Sequence, residues 1–222
     1  MKKLLLTILI SVMAPSVMAV PALQLYINSP DANYDATTQT WVTNASDFEL
    51  WIITANTDSN PIYDLTLVAA FGGEETMAPS GSFSATSVNS GTPLSQSDMS
   101  FGTPPSWGEH AGDYPGAGVY PSWYTEMEVS ALVDDYPDAV MDMQPGETGT
   151  ALGKIFKYQI STDYDYVHLG AYGFWNESDG HFKFVPNSHD AEHCGDPIPE
   201  PTTLLLLSFG IAVGGAIKRK MN

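Results

Sequence analysis

The chain has 222 residues and carries 26 acids against 8 lysines and arginines, a net charge of −18. Five of those cations stand at the two ends (Lys2, Lys3, Lys218, Arg219, Lys220), leaving only Lys154, Lys157 and Lys183 to oppose almost all of the carboxylates. A field of that sign repels phosphate backbones and anionic lipid, which excludes nucleic-acid binding. It suits a saline or calcium-containing exterior, where cations screen or bridge carboxylates.

In chain order, the first segment reads as a signal peptide over residues 1–19. Lys2 and Lys3 form a positive n-region, Leu4 to Val12 an apolar h-region, and Val17-Met18-Ala19 a small-residue cleavage site after Ala19. Cleavage after Ala22 is the alternative. No cysteine lies near this junction, so it is not a lipoprotein signal. Residues 20–195 then suit one exported domain with its own core. The sole cysteine, Cys194, cannot make an internal disulfide, so the domain depends on hydrophobic burial. Cys194 reads as an exposed thiol in a linker, with an intermolecular disulfide as the alternative.

The apolar pattern of that domain has a period of two. Leu23, Leu25 and Ile27 alternate with Gln24 and Tyr26 as a half-buried first strand. A turn-rich stretch from Asn28 to Gln39 leads to Trp41-Val42. Phe48, Leu50 and Ile52 mark the next strand, and Tyr63, Leu65, Leu67 and Ala69 another. Further strands are expected at Ser82–Val88, Tyr124–Leu132, Ala151–Ile160, Tyr166–Trp175 and His181–Val185. A helical apolar period occurs only in the two terminal segments. Short strands separated by Gly, Pro, Asn and Ser predict an all-β fold, an antiparallel, jelly-roll-like β-sandwich. A signal helix would precede it and a hydrophobic helix would follow.

One stretch interrupts the strand rhythm. Gly102 to Trp123 is a 22-residue loop rich in Pro, Gly and aromatics. Trp107, Tyr114, Tyr120, Trp123 and Tyr124 are candidates for a sugar-stacking platform, since aromatic rings offer flat apolar faces to ligands. The plainer alternative is that these rings cap the core while Pro and Gly fix the turns.

The sequence offers residues for two other chemistries. Glu126 and Glu128 stand two apart on a strand and so face one side, as paired glycosidase carboxylates do. The laminarinase-like glycosidases, which they resemble, have a third acid where this chain has Ala131. Glu126 and Glu128 read more simply as solvent-facing neighbours of buried Met127 and Val129, and no enzyme activity is expected. His189, Asp190, Glu192, His193 and Cys194, with His181, bring zinc-type ligands close in sequence, but without a His-Glu-x-x-His spacing. They read as solvated polar residues at the domain exit. Asp31/Asp35, Asp134/Asp135/Asp138 and Asp163/Asp165 are candidate calcium carboxylates that fit no Asp-x-Asp-x-Asp-Gly loop. No cofactor or metal site is assigned.

The last segment, 196–222, has three parts: Pro199-Glu200-Pro201, an uncharged stretch from Thr203 to Ile217, and Lys218-Arg219-Lys220. A 15-residue helix over 203–217 spans roughly 22 Å, short of a ~30 Å hydrocarbon core. The basic tripeptide would hold its end on the cytoplasmic side. This order resembles the sorting signal of PEP-CTERM proteins. The resemblance implies an exosortase-type membrane enzyme that acts near Pro199-Glu200-Pro201, with the helix tethering the precursor to the inner membrane.

The domain itself resembles the choice-of-anchor N proteins. The matching segments, in order, are Ala22 to Ile27, Trp41-Val42-Thr43, Phe48 to Ile53, Gly118 to Tyr124, Tyr166 to Leu169 and Phe184 to Ala191. That family has no established molecular activity, so it supplies no catalytic residues. The expectation is an exported surface or matrix component associated with extracellular polysaccharide. A carbohydrate-binding module built on loop 107–124 is the alternative, and a glycosidase using Glu126 and Glu128 the third.

Overall fold

The computed structural model describes residues 20–56, 62–115, 118–129, 138–175 and 181–195. Ala19, the two terminal apolar segments, the Pro199-Glu200-Pro201 and Lys218-Arg219-Lys220 motifs, Asp134 and Asp135 lie outside them. Among the described residues no helix is long and apolar enough to cross a membrane.

The described chain is a sandwich of two sheets, as the alternation predicts. One sheet has five strands: β1 (Leu23–Asn28), β4 (Asp47–Asn56), β6 (Phe83–Ser87), β9 (Asp138–Met141) and β10 (Thr150–Thr162). Its order is β1-β4-β10-β6, and β9 pairs with the other end of the long β10. The second sheet has eight: β2 (Asn33–Asp35), β3 (Thr40–Thr43), β5 (Ile62–Gly72), β7 (Ser100–Gly102), β8 (Ser122–Glu128), β11 (Tyr166–Trp175), β12 (His181–Phe184) and β13 (Ala191–Cys194). Its order is β2-β3-β13-β11-β5-β8-β7, with β12 on β11. Every pairing is antiparallel except β13 with β3.

Alternation puts Leu23, Leu25 and Ile27 of β1 and Phe48, Leu50 and Ile52 of β4 on the inner face. They meet Leu65, Leu67 and Ala69 of β5, Met127 of β8, and Val167, Leu169 and Ala171 of β11 in one buried cluster. Fully burying each of the Val, Leu, Ile, Phe and Met side chains contributes about 1.5–3 kcal/mol, so this layer carries the stability that a disulfide supplies elsewhere. The outer face of the five-stranded sheet has a smaller cluster, Val20, Ile53, Ala55 and Val140. There Gln24 holds the segment after β9 with both ends of its amide: Nε2 donates to the Met141 carbonyl and Oε1 accepts from the Met143 amide, each at 2.9 Å.

Two expectations need correction. Cys194 is not in a linker: it ends β13, opposite Tyr166, and is half-buried. His189 to His193 are not a solvated exit either. A 3-10 turn (Asn187–His189) leads into β13, and Asp190 and His193 are buried. His193 faces inward, stacks on Phe48 at 6.2 Å and bonds the Tyr164 carbonyl through Nε2 at 3.1 Å.

Gly153 sits where β10 runs between β4 and β9, and a Cβ there would stand 1.8 Å from the Thr54 carbonyl oxygen. Backbone cannot yield as a side-chain tip does, so Gly153→Ala is expected to cost on the order of 2–4 kcal/mol. A chemical-denaturation midpoint equal to that of the parent chain would refute this packing.

Candidate functional site

The strands that differ most from ordinary sandwich strands are β5, β8 and β11, which are buried on both faces. Their outward residues form rows fixed by register. Glu128, Thr66 and Tyr172 share one row, Glu126, Val68 and Gly170 the next, and Tyr124, Ala70 and His168 the third. Glu192 of β13 extends the third row beyond His168. The Pro- and Gly-rich loop lies across these rows. Its Tyr114 is buried, and the Tyr114 amide donates to the Pro104 carbonyl at 3.0 Å. The Tyr114 ring rests on Gly170: a Cβ there would come within 2.4 Å of the Tyr114 hydroxyl. Tyr120 meets Tyr124 and His168 edge-on, at 6.2 and 6.5 Å between ring centres.

Two polar clusters sit under or beside this loop. In the first, Glu126 Oε1 accepts from the Tyr172 hydroxyl at 3.0 Å and from the Ser106 amide at 3.1 Å, and Ser106 Oγ donates to Oε2. Glu126 is only 7% exposed. The expectation that it faces solvent is thus overturned: the loop folds Ser106 over it, while Glu128 stays exposed. Burial and the Glu126 charge push the Tyr124 hydroxyl up to about 12 and the Tyr172 hydroxyl higher still. A cleft of about 450 Å³ opens beside this cluster between Asp64, Thr66, the 95–97 segment, Trp107 and Glu128.

The second cluster is buried deeper, where β11 meets β13. His168 Nδ1 lies 3.1 Å from Glu192 Oε1 and its Nε2 3.5 Å from Asp190 Oδ2. Tyr166 donates to Glu192 Oε1 at 2.9 Å, and Thr40 Oγ1 to Asp190 Oδ1 at 2.8 Å. Burial lifts Asp190 to about 6, against the pull of His168 and Thr40. Burial pushes Glu192 the same way, but His168 and Tyr166 together bring it below the ordinary carboxylate range. The arrangement ties β13 to β11 and closes the sheet; every polar atom named in it has a protein partner.

Of the five aromatics expected to form a platform, only Trp107 is strongly exposed, at 60%. Tyr114 and Tyr124 are buried, Tyr120 is half-buried, and Trp123 is half-buried with its indole N–H donating to the Glu74 carbonyl at 2.8 Å. The rings cross at steep angles and so present no shared flat surface. The metal candidates are dispersed too. His189 bonds Ser188 and lies 3.4 Å from Asp142, Asp163 accepts from the Ser82 amide, and Asp35 accepts from the Thr37 amide. Asp31 and Asp165 stand apart in their own turns, and Asp138 lies in β9. Among the described residues no group of three or more His, Cys, Asp or Glu is placed to hold a metal ion. Sequence reasoning missed His168, Tyr172 and Ser106, none of which sits in a local motif; register alone brings them to Glu192 and Glu126.

Comparison with known proteins bears on the tail. The PEP-CTERM protein-sorting motif matches residues 197–220. The chain carries this sorting signal. It is accordingly an exported, surface-directed protein of the kind processed by exosortase-type enzymes. The motif lies outside the described residues and covers only the end of the chain, so it says nothing about the sandwich. No curated protein matches the chain. Among solved structures it is similar, at 10% identity and a TM-score of 0.40, to a chain described as "AvmM Catalyzes Macrocyclization in Alchivemycin A Biosynthesis". The match covers 82% of this chain and 94% of that one. So distant a likeness assigns neither fold nor chemistry here.

The raised Asp190 has a signed consequence. Its native form holds a proton that the unfolded chain, near 3.8, releases, so its contribution is present at low pH and lost as pH rises through about 6. Relative to the parent chain, Asp190→Asn is therefore expected to gain on the order of 2 kcal/mol as pH goes from about 4 to 7, at ~1.4 kcal/mol per pKa unit. Denaturation curves across that range test the sign; a constant difference would show Asp190 unshifted.

The Tyr120 hydroxyl is buried without a hydrogen-bond partner among the described residues. Removing such a group is neutral or stabilising, so Tyr120→Phe should leave the melting temperature level or higher. A loss above about 1 kcal/mol would mean that the hydroxyl is satisfied.

Proposed function

We propose that the chain is the precursor of a non-catalytic cell-envelope or extracellular-matrix component of the choice-of-anchor N kind. Its acidic sandwich is the cargo, and residues 196–222 are its removable address. The observation that carries this reading is the Pro-Glu-Pro, apolar and basic order at the matched sorting motif, joined to a sandwich with its own closed core. The apolar stretch 203–217 tethers the precursor at the inner membrane until an exosortase-type enzyme acts near Pro199-Glu200-Pro201. A permanent anchor would need neither proline, and would be better served by a longer span.

The packing of the domain supports a scaffold more than a catalyst. Most of the loop's rings serve to cover β5, β8 and β11, and Glu126 already accepts three hydrogen bonds. A glycosidase reading would require Glu126 and Glu128 to act together, and unchanged hydrolysis by a Glu128→Gln variant would exclude it. A carbohydrate-binding role falls to Trp107, the one ring of the loop left strongly exposed.

Mass spectrometry of the mature protein's C-terminus tests the central claim. Processing predicts an end near Pro199 to Pro201 without Lys218-Arg219-Lys220, and accumulation of full-length precursor when Glu200 is changed to Ala. A mature protein that retains Met221-Asn222 would make the tail a simple anchor.

A further inference from the structure

We propose that the cleft beside Trp107 is a binding site for a saccharide unit that carries a free ammonium group. The inference is independent of how the C-terminal signal is processed. Its first support is shape: a concavity of about 450 Å³ falls in the ordinary size range of small-ligand sites. Its second is composition. An exposed indole, Trp107, forms one wall, and hydroxyls, an amide and carboxylates form the rest: Thr66, Gln96, Ser106, Glu128 and Tyr172. A flat apolar ring together with a set of hydrogen-bonding groups is what a pyranose requires, with its C–H face stacked and its hydroxyls paired.

Charge then selects among sugars. Asp64, Glu126 and Glu128 border the cleft, and no lysine or arginine lines it. Lys154 and Lys157 lie on the other sheet, over Phe156 and Trp51. Glu126 is already held by Ser106 and Tyr172, so the charges open to a ligand are those of Asp64 and Glu128, which a neutral sugar would leave without a counter-charge and an acidic one would meet with repulsion. An amino sugar places its ammonium near Glu128 and Asp64 and within reach of the indole face, where a cation is attracted by the ring quadrupole.

The backbone shows how Asp64 reaches the cleft. Asp64 has φ of 49°, a left-handed conformation for a non-glycine residue, at the register shift between Tyr172 and Phe174 on the paired strand. This bulge brings Asp64 to the rim of the cleft beside Thr66. The hydrogen bonds of Ser106 and Tyr172 to Glu126 fix the floor, so the site is formed before any ligand arrives.

The experiment is calorimetric titration of the exported protein with glucosamine oligomers and with their N-acetylated counterparts, at one ionic strength, below and above the pKa of the sugar amine. Saturable binding of the free-amine oligomer is expected below that pKa. It should weaken about tenfold on N-acetylation, on amine deprotonation and in Trp107→Ala. Glu128→Gln should weaken it severalfold. Asp47→Asn, which removes one exposed charge from the opposite sheet, should leave it unchanged. Equal affinity for both oligomers would overturn the ammonium assignment. Full binding by Trp107→Ala, or an Asp47→Asn effect matching that of Glu128→Gln, would reduce the interaction to diffuse charge attraction, and no saturable binding would remove the site. Trp107 and Glu128 are both at the surface, so their variants keep the fold and the test stands on binding alone.

Discussion

The contact of Tyr114 with Gly170 is the constraint on which the upper half of this molecule depends. The strand β11 crosses the middle of the eight-stranded sheet, and at Gly170 it offers no side chain, so the loop from Gly102 to Trp123 can lie directly on the backbone. Any Cβ there would meet the Tyr114 hydroxyl and lift the loop. Once Tyr114 is seated, Tyr120 covers Tyr124 and His168, and Ser106 comes down on Glu126. The second face of β5, β8 and β11 is thereby closed without a third layer of strands. A sheet face that would otherwise be half-wet becomes dry enough to hold carboxylates, a histidine and several tyrosines in fixed hydrogen bonds.

That second layer explains which parts of the protein could be read from its sequence. Strands whose outer face carries polar or half-buried residues, such as β1 with Gln24, Tyr26 and Asn28 and the first half of β4 with Glu49 and Trp51, show the alternation plainly, and Leu23, Leu25, Ile27, Phe48, Leu50 and Ile52 all lie where that alternation puts them. Alternation also points Glu126 outward, and outward it goes. What a local pattern cannot tell is that outward is covered, because the covering residue, Ser106, is 20 positions away in a loop. The same blindness hides β13. Asp190-Ala191-Glu192-His193-Cys194 looks polar because one of its faces meets His168 and Thr40 and the other stacks His193 on Phe48. Its parallel partner β3 is some 150 residues away, as the Thr40 to Asp190 hydrogen bond shows. The short strands β2, β7 and β9 have three or four residues each, too few for a period to appear.

Charge distribution connects the two readings of this chain. The buried carboxylates each have local partners: hydroxyl and amide donors at Glu126, His168 and Thr40 at Asp190, and His189 and the Gln144 amide at Asp142. The rest stay at the surface with three lysines to balance them, and two of those lysines are laid over aromatic rings. A domain built in this way is repelled by an anionic membrane surface, and the electrostatic attraction of the chain to such a surface is concentrated in the five cations near its ends.

It follows that removal of the tail changes more than length. The basic tripeptide and the apolar stretch are the parts of the C-terminal half that favour the bilayer, and the sandwich ends, at Gly195, with its last strand held in the sheet and the Gly195 amide bonded to the Asp165 carbonyl at 2.7 Å. On the proposed reading, cutting near Pro199-Glu200-Pro201 lies beyond every described strand and would release an acidic domain that an anionic membrane surface repels. The last described strand, β13, and the Gly195 to Asp165 hydrogen bond thus stand just ahead of the sorting motif at 197–220.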